Sequence, residues 1–240
     1  MDIAVVTGAS GGIGAAICRL IHVKSEGQLK LCLHYNGNKA AAQALSNEIP
    51  DSFAVQADLR TTEGRKILLE AVLSKGTPFC LVNNAGIDKP HEPALMVSEA
   101  SYDKIFDTNL KAPLFLMRDF SKEMARNESG VIVNISSVLA RKAVVGSAVY
   151  RASKAALEAL TLQFASELGP KGVRVVAVAP GFIETAMTSE IPEDQRVGIK
   201  KDVALGSFGS PDAVAETVWH AIENQYLTGA VIAVDGGMAL

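Results

Sequence analysis

Residues 3–14 read IAVVTGASGGIG: a β-branched apolar run, then Thr7-Gly8, then Gly12 and Gly14 at the opening of a segment with helical period. A buried strand that feeds a glycine turn into a helix is the first unit of a parallel α/β sheet. Glycine lets the backbone turn sharply and lets a pyrophosphate approach the helix amino terminus, where free N–H groups favour anions. The spacing T-G-x3-G-x-G in this position marks Gly8, Gly12 and Gly14 as candidate dinucleotide contacts. The competing reading is a tight βα turn. No Lys-Ser/Thr pair follows the glycines, which argues against a nucleoside-triphosphate loop.

The alternation continues to the end of the chain. Short apolar runs at 29–35, 52–58, 79–86, 130–137, 173–181 and 230–237 alternate with helical patterns at 38–49, 62–73 and 98–126, around Tyr150 and Lys154, and from Pro211. The strands are continuous apolar runs, as expected when both faces are covered by helices. The pattern predicts an α/β, Rossmann-type doubly wound parallel sheet of seven strands with helices on both faces. No linker, repeat or low-complexity stretch divides it, so one dinucleotide-binding catalytic domain over 1–240 is expected. The irregular stretch 182–208 is long for a connection and is expected to be a substrate lid. Its Met187, Ile191 and Ile199 either line an acyl channel or pack onto the sheet.

Bulk composition narrows the class. Of 240 residues, 48% are hydrophobic and 20% charged, which suits a globular chain with a large core. A net charge of −3 argues against a nucleic-acid partner. No apolar run reaches the roughly 18–20 residues of a membrane helix. The sequence enters its first strand without a charged leader, so the cytoplasm is expected, although a trimmed chain would read the same and an organelle matrix stays open. Cys18, Cys32 and Cys80 and the four histidines are scattered, without metal-ligand spacing, so buried reduced thiols and no metal site are expected.

Tyr150 and Lys154 stand four residues apart in VYRASKAALEAL (149–160), on one face of a helix. That pair alone is a weak signal. Its company is more telling: Ser137 closes the fifth strand, and Asn83, Asn84 and Gly86 end the fourth, all at the carboxyl edge where open α/β sheets bind ligands. Together TGASGGIG, Asp58, NNAG (83–86), Asn109 in DTNL, Ser137, YRASK (150–154), PGFIET (180–185) and VDGG (234–237) resemble the short-chain dehydrogenase/reductase family over nearly the whole chain. Within it, PGFIETAMT, GSFG and TGAVIAVDGGM are most similar to the β-ketoacyl-acyl-carrier-protein reductases.

The resemblance implies strand order 3-2-1-4-5-6-7 and a set of roles. Tyr150 is the implied general acid, with Ser137 bonded to the same substrate oxygen; adjacent Ser136 is the rival. Lys154 holds ribose hydroxyls and lowers the phenol pKa. Asn109 holds a water that connects Lys154 to solvent. Gly8, Ser10, Gly11, Gly12, Ile13 and Gly14 line the cofactor's phosphates or ribose, Asn36 its adenosine 2′ position, and Asp58 and Leu59 its adenine. Asn84 and Gly86 lie beneath it, and Ile183 and Thr185 contact the carboxamide.

An NAD site usually carries an acid after the second strand. Here that stretch reads His34-Tyr35-Asn36-Gly37-Asn38-Lys39, so NADP(H) is expected over NAD(H), with Lys39 either pairing the 2′-phosphate or simply solvated. Gly11 stands where many relatives have an arginine for that phosphate. The implied substrate is a 3-oxoacyl thioester on acyl carrier protein, in fatty-acid synthesis. Lys171 matches one carrier-docking cation, but Glu128 stands at the other, with Arg126 nearby and the run RVGIKK (196–201) adding charge. The implied assembly is a homotetramer. Competing functions are a reductase or dehydrogenase acting on another ketone or alcohol with NAD(P), and a non-catalytic dinucleotide-binding sensor or scaffold.

Overall fold

The computed structural model describes residues 1–88 and 91–240, the side chain of Met187 apart. Strands β1 (Asp2–Val6), β2 (Lys30–Tyr35), β3 (Ser52–Gln56), β4 (Thr77–Asn83), β5 (Gly130–Ile135), β6 (Val173–Pro180) and β7 (Val231–Val234) form one sheet in the order β3-β2-β1-β4-β5-β6-β7. Every neighbouring pair is parallel; Val5, for example, sits beside Cys32 on one side and Leu81 on the other. The expected order is therefore the observed one. The central strands β5 and β6 are buried along their whole length, which is why they read as unbroken apolar runs.

Helices cover both faces. On one, α1 (Gly12–Lys24) and a carboxyl-terminal helix, Pro211–Glu223, press Ile17, Ile21, Val214, Val218 and Ile222 onto Val6, Val131 and Val176. On the other, three helices press Leu68, Leu116, Met117, Phe120 and Leu157 onto Val5, Leu81 and Ile132. Burying each such side chain contributes roughly 1.5–3 kcal/mol. Between them in sequence, α2 is Lys39–Glu48 and α3 is Thr62–Leu73.

The helix expected over 98–126 is broken. It runs as α4 (Glu99–Phe106), a π-helical turn (Asp107–Lys111) and α5 (Ala112–Arg126). Pro113, four residues after Asn109, has no N–H for the Asn109 carbonyl, and its ring would crowd that carbonyl in an α-helix; the wider turn relieves both. Next come α6 (Ala148–Leu168), then α7 (Ala186–Ser189), α8 (Glu193–Lys201) and the carboxyl-terminal helix, α9. The stretch expected to be irregular thus holds two short helices. Thr185 and Thr188 form a capping box on α7. Glu193 and Asp194 open α8 and Lys200 and Lys201 close it, which complements its dipole.

From β1 the chain winds outward to β2 and β3, then crosses back so that β4 lies on the other side of β1. That topological switch point opens a crevice at the carboxyl ends of the strands.

Candidate active site

A cleft of about 490 Å³ fills that crevice. Its walls hold Gly8, Ser10, Gly11, Gly12, Ile13 and Gly14 from the glycine loop, Asn36 after β2, Asn84 and Gly86 after β4, Ser137 after β5, Tyr150 and Lys154 on α6, and Ile183 and Thr185 after β6. Fourteen of the residues named from sequence thus come together in one cleft. Asp58 and Leu59 line an adjoining cavity of about 180 Å³ that shares His34, Asn36 and Ala85 with the cleft.

The glycine loop fits a dinucleotide because side chains are excluded where it bends. Gly8 has φ +65°, and a Cβ there would lie 3.0 Å from the Ala85 Cα. A Cβ on Gly14 would lie 2.3 Å from the Gly8 carbonyl oxygen and 2.7 Å from Asn84 Nδ2. Asn84 holds the loop from the β4 side, its Nδ2 donating to the carbonyls of Thr7 at 2.9 Å and Gly8 at 3.1 Å. The Thr7 hydroxyl accepts from the amides of Asn84 at 3.0 Å and Ala85 at 2.9 Å, which locks the end of β4 to that of β1.

Ser137 starts a 3-10 turn, its Oγ accepting from the Leu139 amide at 3.1 Å. Its own proton is then free for Tyr150, with which it is hydrogen-bonded. Ser136 is not a rival: its hydroxyl donates to Glu158 Oε1 at 2.8 Å. Lys154 is 4% exposed, and its Nζ donates to the Ile135 carbonyl at 2.7 Å, 5.8 Å from the Tyr150 ring centroid.

The expected depression of the phenol pKa is not found. Packing around Tyr150 pushes it up to about 12; the Ser137 bond pulls it down, and Asp88 pushes it further up. Burial pushes the Lys154 ammonium down to about 8. With its ammonium turned to a backbone carbonyl, Lys154 does not outweigh the desolvation of the phenol. Tyr150 therefore stays protonated, the state that a proton donor needs.

Asn109 lies behind the cleft, fully buried in the π-helical turn. Its amide nitrogen donates to the Ile87 carbonyl at 2.8 Å and to Ser153 Oγ at 3.3 Å, and its Oδ1 accepts from the Ile87 amide at 2.9 Å. The amide expected to hold a water thus has both its N–H groups engaged by protein. Gly86 lies in front of it: a Cβ there would sit 3.3 Å from Asn109 Oδ1 and 3.5 Å from Lys154 Nζ.

Of the residues left open, Ile199 packs against the small cluster of Val138, Val203 and Met238, not into the cleft. Ile191 does not line the cleft, and the side chain of Met187 lies outside the described residues. Lys39 is exposed at the start of α2 and lines neither cavity. Lys171 and Arg126 lie beside the amino ends of β6 and β5, on the sheet edge opposite the cleft, and Arg126 is paired with Glu123 at 2.7 Å.

Sequence reasoning missed several residues. Arg60 clamps Asp58 with Nη2 at 2.7 Å and Nε at 2.9 Å, so the carboxylate expected at the adenine is already held. Arg196 of α8 turns inward, bonding Glu184 at 2.6 Å and the Thr188 carbonyl at 2.9 Å, with its guanidinium 4.5 Å from the Phe208 ring centroid. His34 and Glu158 were also missed. The contacts of His34 and Glu158 join residues distant in sequence, and Arg196 turns inward a charge that looked solvated; Arg60, two residues after Asp58, and Pro113, marking the break at Asn109, were local signals. Among the described residues, no three His, Cys, Asp or Glu side chains gather as metal ligands, and no helix is long and apolar enough to cross a membrane.

A glycine-lined cleft that ends in a phenol, a serine hydroxyl and a lysine ammonium defines an oxidoreductase for a carbonyl or an alcohol. Residues 2–196 match the family described as short chain dehydrogenase, and the chain belongs to it. The 3-oxoacyl-acyl-carrier-protein reductase FabG of Rickettsia felis is 37% identical over 241 residues, 98% of this chain and 95% of the relative. That of Staphylococcus aureus is 36% identical over 242 residues, 98% of this chain and 97% of the relative. A solved structure provisionally described as a gluconate dehydrogenase of Agrobacterium tumefaciens has a TM-score of 0.92 at 27% identity, covering 99% of this chain and 96% of that one. A short chain dehydrogenase/reductase family protein has a TM-score of 0.88 at 31% identity, covering 99% and 97%.

Proposed function

We propose that this protein reduces a 3-oxoacyl thioester to the 3-hydroxyacyl thioester with NADPH. The observation that carries the reading is the meeting of Tyr150, Ser137 and Lys154 with the glycine loop in one cleft. Identity near 36% to the curated reductases supports the substrate class. The nicotinamide, when bound, supplies the hydride. The Tyr150 hydroxyl donates its proton to the ketone oxygen as charge develops there. The Ser137 hydroxyl, held by the Leu139 amide, steadies the phenolate left behind. Lys154 adds positive charge and offers N–H donors to ribose hydroxyls. Asn109 acts by fixing Ile87 and Ser153 around that lysine.

Residues 182–208 form the substrate lid in this reading, with Arg196 tying Glu184, Thr188 and Phe208 together. A carrier protein seated on Lys171 lies at the edge of the sheet away from this chain's own cleft.

A second reading is an NAD(P)-linked dehydrogenase of another ketone or alcohol. It is favoured by Lys39, which lines neither cavity, and by the provisional gluconate dehydrogenase neighbour. Oxidation of NADPH and of NADH with an acetoacetyl thioester separates the two. NADPH-dependent turnover supports the lead, and no turnover with either coenzyme overturns it.

A further inference from the structure

We propose that His34 is a positioning residue of the dinucleotide site: one neutral tautomer of it fixes the glycine loop, and protonation releases that loop. The proposal rests on the reading of the cleft as a dinucleotide site. His34 is 2% exposed at the end of β2. Its Nε2 lies 3.0 Å from the Ala57 carbonyl oxygen, which can only accept, so Nε2 carries the proton. In the neutral ring Nδ1 is then an acceptor, and it receives the Gly8 N–H at 3.2 Å. The His34 carbonyl accepts the next amide, Ala9, at 2.9 Å. Two successive N–H groups of the loop therefore hang on one residue.

This hold opposes the one from Asn84, whose amide grips the Thr7 and Gly8 carbonyls. An imidazolium has no acceptor. It would turn an N–H toward the Gly8 N–H, and the loop would lose one of its two attachments to His34, keeping only the Ala9 amide on the His34 carbonyl. The charged groups around the ring do not offset this. Asp58, from the β3–α3 connection, attracts the proton but is already clamped by Arg60. Arg60 and Lys104 of α4, which line the smaller cavity with His34, oppose a further cation. In the larger cleft it shares walls with Asp88, Tyr150 and Lys154. The loop TGASGGIG itself has no titratable side chain. Burial is the largest influence and holds the imidazole below its ordinary pKa.

The Gly8 end of the loop is therefore held only while His34 is neutral, and acidification weakens dinucleotide binding. His34→Gln is the informative variant, because its amide offers an acceptor and a donor but does not titrate. NADPH fluorescence titrations from pH 7.5 to pH 5 compare it with wild type. Each protein is referred to its own affinity at pH 7.5, so that only the change with pH is compared. As pH falls, wild type loses affinity that the variant keeps; the cofactor's 2′-phosphate titrates near pH 6 in both and cancels. Parallel pH curves overturn the proposal.

Nuclear magnetic resonance of the cofactor-free protein decides the same point separately. The protection of the Gly8 amide hydrogen against exchange, referred to its intrinsic rate at each pH, falls in step with the ring titration of His34. A Gly8 amide indifferent to that titration overturns the proposal, whether or not the variant folds. Failure of NADPH to bind wild type at pH 7.5 instead overturns the dinucleotide reading.

Discussion

The Lys154 ammonium lies 5.8 Å from the centroid of the Tyr150 ring and donates to the Ile135 carbonyl at 2.7 Å. Burial sets the two ionisations apart, Lys154 at about 8 and Tyr150 at about 12. Reduction needs the lysine charged and the tyrosine protonated. The limiting ionisation in the free enzyme is then that of Lys154. We expect kcat/KM for NADPH to be level from about pH 7.5 to pH 8 and to fall roughly tenfold per pH unit above that. A profile level to pH 10 contradicts this assignment.

The same burial makes Lys154 a cost to the fold. Its folded pKa, about 8, is below the ordinary 10.5, so between these values the unfolded chain binds more protons and stability rises with pH. Below about pH 8 the buried ammonium costs on the order of 3 kcal/mol. Removing it strands the Ile135 carbonyl, which returns about 1–3 kcal/mol. Lys154→Met should therefore be inactive, yet about 1 kcal/mol more stable than wild type at pH 7 in chemical denaturation. Its advantage should vanish by pH 10.5.

Two glycines of one loop should respond in opposite ways. Gly11 has extended backbone, and a Cβ there meets only the Gly8 carbonyl oxygen, at 3.5 Å. Gly11→Arg adds a guanidinium beside the expected 2′-phosphate and should raise the preference for NADPH over NADH about tenfold. A Cβ on Gly14 would be 2.3 Å from the Gly8 carbonyl oxygen, so Gly14→Ala must open the loop. NADPH affinity should fall by about 100-fold, roughly 2.8 kcal/mol, as read by fluorescence titration.

Glu158 accepts from Ser136 at 2.8 Å and lies 3.4 Å from Arg141, bracing the turn that carries Ser137. Glu158→Ala frees that turn and should lower kcat about tenfold with KM little changed. Glu158→Gln keeps an acceptor for Ser136 and should restore most of the rate. Equal losses in the two variants would assign the role to the Arg141 pair instead.

Much of this was legible in the sequence, for physical reasons. The valine- and isoleucine-rich runs of β5 and β6 are buried on both faces, so their burial is written as unbroken hydrophobicity. Gly8 and Gly14 announce close approach because nothing larger fits. What failed was of three kinds. The break at Asn109 was signalled by Pro113, but helical periodicity on either side masked it. The helices α7 and α8 are short and charged, and their caps say more than their hydrophobicity does. The roles of His34 and Glu158 rest on partners more than twenty residues away in sequence, and the ionisation of Tyr150 depends on a burial that only the folded chain defines.

The central claim is that the Tyr150 hydroxyl protonates the substrate oxygen. The measurement that tests it most directly is single-turnover reduction of an acetoacetyl thioester by Tyr150→Phe, with NADPH affinity determined on the same preparation. The account predicts a rate lower by about 10²–10⁴ with coenzyme affinity retained. A Phe variant that reduces the thioester at the wild-type rate would contradict it.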